Sequence, residues 1–219
     1  MRALIISGSG RYADPWHPFL ATSQKLAEVL IAAGADCTID DDVEGALARA
    51  ADFDLVVVNA GDPWRGESEH AGARPEQVSL EGFARALHGG IGVLAIHSAV
   101  SSLRDYPEWA LAVGRVWLPG ISSHPPADVA RITGGVFPDG EPVQSFEVFD
   151  ERYCRLQPVG RIHAVATHLG PWGQEPTAWV TEHGRARIAA DLLGHDERSY
   201  DSPDHRLLVT QLAAWASRQ

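Results

Sequence analysis

The apolar run Gly90-Ile-Gly-Val-Leu-Ala-Ile96 ends abruptly in His97 and Ser98, ahead of an expected helix from Leu103 to Leu111. A strand-to-helix elbow of this kind projects one side chain into the crevice above a sheet. An imidazole held there can act as base, acid or metal ligand, because its ordinary pKa lies near neutrality. The elbow is not that of a serine hydrolase, since Ile96 and Val100 replace the glycines that flank such a nucleophile. The competing reading of His97 is a strand-end side chain satisfied by backbone. Further along, Phe146-Glu-Val-Phe-Asp-Glu-Arg-Tyr153 alternates like a strand and closes on two carboxylates. If strand geometry continues, only one of Asp150 and Glu151 faces the crevice. That carboxylate could orient His97 or take a proton itself, or the pair could form a solvated turn. Neighbours on opposite faces do not make the carboxyl pair, about 5 Å apart, of a retaining glycosidase.

Six more histidines, His124, His163, His168, His183, His195 and His205, could join His97 around a divalent metal. None shows H-x-x-x-H or H-E-x-x-H spacing. Trp16-His17-Pro18 sets an aromatic plate and an imidazole before a helix. The combination suits stacking on a sugar and binding its hydroxyls, and it suits packing at a helix entry equally. Trp64, Trp117 and Trp172 also fall in or near loops. Gly8-Ser-Gly10 lacks the lysine of a phosphate loop and reads as a turn.

These groups need a scaffold, and the first half supplies one by alternating β-rich runs with amphipathic stretches. That is the pattern of a parallel sheet covered on both faces. Strands are expected at Arg2–Ser7, Cys37–Ile39, Leu55–Asn59 and Ile91–Ile96, with helices after Phe19 and near Leu80–Leu87. A long loop, a possible lid, covers residues 61–77. Beyond residue 113 shorter candidates follow, at 116–118, 129–132, 145–148, 164–167, 178–181 and 187–192, from which antiparallel pairs are expected. Ser202 and Pro203 begin a final helix with Leu208, Leu212 and Trp215 on one face. The expected fold is a single α/β domain over residues 1–219, with ligands outside the carboxyl ends of the parallel strands.

Composition narrows the partners. The 219 residues carry a net charge of −11, so nucleic acid is not expected. No apolar run approaches the about 20 residues of a membrane helix, and the N-terminus enters a strand without a signal pattern. A cytoplasmic protein is expected, with Cys37 and Cys154 reduced.

In order and spacing, several short segments resemble the ThuA-like (trehalose-utilisation) family, related to class I glutamine amidotransferases. They are His17-Pro18, the glycine-rich strand ending in His97, Ser123-His124-Pro125, Asp150-Glu151-Arg152-Tyr153, Pro176-Thr-Ala-Trp179, Gly184-Arg185 and Leu193-Gly194-His195-Asp196. The resemblance spans nearly the whole chain. It implies a flavodoxin-like, amidotransferase-type sheet and a role around trehalose, related disaccharides or their keto forms. It also implies crevice roles for His17, His97, His124, Asp150, Glu151, Tyr153 and His195. Amidotransferase chemistry does not carry over, because His97 stands where the thiolate nucleophile would be. Gly134-Gly-Val-Phe-Pro138 departs from the family's usual segment ahead of Asp-Glu-x-Tyr.

The leading expectation is acid–base chemistry on a sugar or keto-sugar, hydrolytic or isomerising, with His97 moving the proton. Asp150 or Glu151 assists, His195 completes the catalytic set, and Trp16, His17, His124 and Tyr153 bind substrate. The rivals are a non-catalytic sugar- or metabolite-binding module and a metal-dependent enzyme in which three or more of His97, His124, His195 and Glu151 hold Zn²⁺ or a similar ion. No cofactor beyond such a metal is expected, and a two-fold homodimer is the default assembly.

Overall fold

The structure is a computed structural model that describes residues 1–65 and 73–218. The middle of the expected lid, residues 66–72, lies outside the described residues.

The first half runs β1 (Arg2–Ser7), α1 (Phe19–Ala32), β2 (Asp36–Asp40), α2 (Val43–Ala48), β3 (Leu55–Asn59), α3 (Gln77–Gly89) and β4 (Gly92–Ile96). The second runs α4 (Trp109–Val113), β5 (Arg115–Val116), β6 (Asp128–Gly134), β7 (Phe146–Asp150), β8 (Gln157–Pro158), β9 (His163–Gly170), β10 (Gly173–His183), β11 (Ala186–Asp191) and α5 (Pro203–Ser217). Nine strands form one sheet in the order β2-β1-β3-β4-β11-β10-β9-β6-β7. From β2 to β11 the pairs are parallel, and from β11 to β7 they are antiparallel. The parallel part has the 2-1-3-4-5 order of a doubly wound fold, which reverses between β1 and β3. β11 joins the halves: expected among the antiparallel pairs, it pairs that way with β10 and parallel with β4.

β3 and β4 are buried along their whole length, as strands covered on both faces must be. Leu4, Ile6, Val56 and Val58 pack with Leu47, Phe83 and Leu87 on one face. Ala3, Ile5, Leu55 and Val57 pack with Leu26, Leu30 and Leu212 on the other. The Ser202 hydroxyl accepts the N–H of His205 and Pro203 stands in the first turn, so α5 starts where expected. The helix expected from Leu103 to Leu111 is not continuous. A 3-10 turn covers His97–Ser101, and α4 follows only at Trp109. Leu103 has φ 45°, and Pro107 removes a donor and disfavours helix just before it.

The carboxyl ends of β4 and β11, the segment before α1 and the residue after β7 meet at one place. Gly194, after β11, has φ 102°. A Cβ there would sit 2.6 Å from the Tyr200 hydroxyl, so the turn excludes any side chain.

Candidate metal centre

His97 follows β4 directly and lies in the left-handed region at φ 45°, which costs a non-glycine residue on the order of 1 kcal/mol. The sharp turn buries its ring at 1% exposure. Nδ1 donates to the Leu192 carbonyl at 2.7 Å, leaving Nε2 for chemistry. His17 comes from the segment ahead of α1. Asp14 accepts the N–H groups of Trp16 and His17 at 3.0 Å each and takes His17 Nδ1 at 2.8 Å. Here too Nε2 is left free.

Glu151, the residue after β7, completes the group. Its Oε2 lies 3.6 Å from His97 Nε2 and 3.5 Å from His195 Nδ1, and its Oε1 lies 3.2 Å from His124 Nδ1. His17 Nε2, His97 Nε2 and His195 Nδ1 are buried without a hydrogen-bond partner. One atom from each of His17, His97, Glu151 and His195 lies within 4.8 Å of the others. A buried polar atom left unpaired costs about 1–3 kcal/mol. Three such nitrogens converging on one carboxylate fit a first-row divalent ion. Asp14 and the Leu192 carbonyl are the outer partners that orient such ligands.

Burial lowers the pKa of His17 and of His195. Burial also pulls His97 down, but Glu151, Asp150 and the Leu192 carbonyl outweigh it and raise the ring above its ordinary value. Burial pushes Glu151 up, and His97 and the other imidazoles outweigh that, lowering it. Both shifts favour the charged forms of His97 and Glu151, and a divalent ion held here would compete with the proton on His97.

A cavity of about 290 Å³ opens beside the cluster, lined by Trp16, Arg65, Trp117, His124 and Tyr153 together with His17, Glu151 and His195. The Tyr153 ring packs 4.4 Å from the His97 ring and 4.6 Å from Trp117, centre to centre. Burial, then the charges of Glu151 and Asp150, hold its hydroxyl well above 10, so it remains a donor. Trp16 is 56% exposed at the rim, with the Arg65 guanidinium 4.7 Å over its ring.

Of the two neighbouring carboxylates the crevice receives Glu151. Asp150 is only 2% exposed and does not line the cavity. Its carboxylate accepts N–H groups from Glu151 at 2.7 Å, Gly194 at 2.7 Å and His195 at 3.3 Å, and the Ser199 hydroxyl. The catalytic role expected of Asp150 is corrected accordingly: it holds the backbone of Glu151 and His195, two members of the cluster. His163, His168, His183 and His205 are engaged elsewhere, with the Val136 carbonyl, Thr177, Glu108 and Asp191 respectively. Trp64 donates to Asp105, Trp172 lies under Arg155, and the Asn59 amide donates to the Phe19 carbonyl, Thr22 and Ser23. Cys154 is buried and Cys37 half-buried, both free. A larger crevice of about 440 Å³, lined in part by Ser9, Asp42 and Glu76, contains none of the expected site residues. Sequence reasoning placed His17 on the substrate and missed Asp14 and Arg65. The readable signal was the Asp14-Pro-Trp-His17 spacing, which lets a carboxylate grip an imidazole three residues on.

His168 carries a separate pH consequence. Burial, then the Arg152 charge, lower it from 6.5 to about 4. Between those values the unfolded chain binds a proton that the native state refuses, so stability falls as pH falls. At about 1.4 kcal/mol per pH unit the loss approaches about 3 kcal/mol near pH 4. His168→Gln should flatten the acid limb of a melting-temperature profile, and an unchanged limb would refute the assignment.

Fold and crevice together define a doubly wound α/β protein with a histidine–carboxylate cluster at the carboxyl edge of its sheet. The chain belongs to the ThuA family, described as trehalose utilisation, whose model matches residues 2–216. Among solved structures, a ThuA-like protein from Parabacteroides merdae superposes with TM-score 0.78 at 20% identity, over 99% of this chain and 89% of that one. A second, from Bacteroides uniformis, gives TM-score 0.71 at 14% identity, over 98% of this chain and 90% of that one. Part of the GH42 β-galactosidase Gan42B from G. stearothermophilus shares the fold, with TM-score 0.57 at 10% identity over 96% of this chain and 29% of that one. None of the curated proteins matches the sequence. Among the described residues, no helix is long and apolar enough to cross a membrane.

Proposed function

We propose that this chain is a divalent-metal-dependent enzyme of carbohydrate metabolism, acting on a sugar or keto-sugar of the trehalose-related class. The observation that carries the reading is the set of three imidazole nitrogens without hydrogen bonds around Glu151, beside a cavity that His17, Glu151 and His195 line. This reverses the order suggested by the sequence, where metal-free acid–base chemistry led. An ion in this cluster would polarise a substrate oxygen or a bound water. The Tyr153 phenol, on the cavity wall and kept protonated, would donate to a developing oxyanion. His124, on the cavity wall beside Glu151 Oε1, is the group to move a proton to or from substrate. Trp117 and Trp16 offer flat faces to a sugar ring. The family description supports the substrate class.

The test is a thermal-shift titration of EDTA-treated protein with Zn²⁺, Mn²⁺ and Co²⁺, followed by sugars and keto-sugars with and without the ion. A ligand at 100 times its Kd stabilises the fold by about 2.7 kcal/mol. One ion should raise the midpoint, and one sugar class should raise it again only in the loaded protein. Equal sugar shifts in EDTA would restore the metal-free reading, and no shift with any ion would end the metal reading.

A further inference from the structure

A buried chain of polar groups adjoins the cluster and takes no part in the chemistry above. His205, in the first turn of α5, and Asp191, at the end of β11, are both 0% exposed. His205 Nε2 is 2.9 Å from Asp191 Oδ2, and Nδ1 is 3.0 Å from both the carbonyl and the hydroxyl oxygen of Ser199. A carbonyl can only accept, so Nδ1 carries a proton. A lone pair on Nε2 would face a carboxylate oxygen, so that nitrogen carries one as well. The Ser199 hydroxyl in turn reaches Asp150, a second carboxylate. The ring of Tyr200 packs 5.1 Å away, and burial keeps its phenol neutral.

We propose that His205 is a buried imidazolium and a positioning residue for the metal centre, an inference that rests on the metal reading of the crevice. The cation ties Asp191 to Ser199, the two ends of the segment 192–198. Within that segment the Leu192 carbonyl orients His97, and His195 is itself a ligand. Asp150, held through Ser199, grips the backbone of Glu151, Gly194 and His195. Three of the four ligands thus depend on one network in which a single cation lies between two carboxylates. A buried charge deprived of its partner destabilises strongly, so a neutral side chain at position 205 leaves the segment free to move.

The first sample is metal-free, 15N-labelled wild type. Long-range 15N–1H correlations should show both His205 ring nitrogens protonated from about pH 6 to about pH 8.5, the range in which an ordinary histidine loses its charge. A neutral His205 ring in that range overturns the inference. His205→Gln keeps a donor toward Asp191 and loses the one toward Ser199. Its Co²⁺ affinity should fall ten- to a hundredfold, and the His97 Nδ1 signal should shift as the bond to Leu192 loosens. Ser199→Ala removes the hydroxyl that bridges His205 Nδ1 and Asp150 while the Ser199 carbonyl still accepts from Nδ1, and it should lose affinity in the same direction, which serves if the glutamine variant does not fold. Folded variants with wild-type Co²⁺ affinity and an unchanged His97 signal overturn the positioning role. A wild type that takes up no Co²⁺ defeats the metal reading alone, because the ring signals are read without metal.

Discussion

His97→Ala protein should hold no stoichiometric divalent ion and should turn over its sugar substrate on the order of a thousandfold more slowly, while remaining folded. Of the four candidate ligands the ring is the one anchored at a strained elbow, and the Leu192 carbonyl orients it. Deleting it would leave only three of the four candidate ligands, His17, Glu151 and His195. Metal catalysis supplies several kcal/mol of transition-state stabilisation, which a thousandfold, about 4 kcal/mol, represents. The cost to the fold is smaller. The lost hydrogen bond is worth about 1 kcal/mol, and the substitution also removes a buried nitrogen that makes no hydrogen bond. Metal content after dialysis, kcat/KM and the melting midpoint, measured on one preparation, decide the matter. A His97→Ala enzyme with full activity ends the assignment.

The neighbouring carboxylates should fail in opposite ways. Asp150→Ala leaves the N–H groups of Glu151, Gly194 and His195 and the Ser199 hydroxyl without their acceptor, all in a buried setting. Stranded donors and a broken buried network place the loss at about 3–5 kcal/mol. At about 2–4 °C per kcal/mol for a chain of this size, the midpoint should drop by about 10 °C. Glu151→Gln keeps the shape and the fold and instead loses the metal. Urea unfolding of both variants, read beside metal content, separates the roles. An Asp150→Ala protein as stable as wild type but inactive would return Asp150 to the chemistry.

What was legible in the sequence is what local pattern controls. Leu55–Asn59 and the run ending in His97 could hardly be anything but strands buried on both faces, and Ser202-Pro203 announces a helix start. The elbow at His97 was readable because a strand that stops on a polar residue must turn there, and the positive φ bears this out. Alternation along 146–153 correctly limited the crevice to one of two carboxylates. What could not be read depends on registers between distant strands. Nothing local says that β11 inserts between β4 and β10, yet that insertion brings Leu192 to His97 and His195 to the cluster. Nor could it be read that His17, rather than His124, joins the four-residue cluster, since both stand in short loop segments beside prolines. The break before Trp109 was open to inspection at Pro107.

The candidate ligands are drawn from four stretches of chain, at residues 17, 97, 151 and 195, in both halves of the sheet. No fragment of the polypeptide owns the site, and the unfolded chain has no preformed version of it. The βα units of the first half rest on nearby contacts and can form early, whereas the cluster exists only after β11 has docked and the antiparallel strands have closed on it. Occupancy of the crevice is then a signature of the last assembly step. An ion seated there would act as a clasp across the two halves, and would slow the rate at which the finished molecule comes apart.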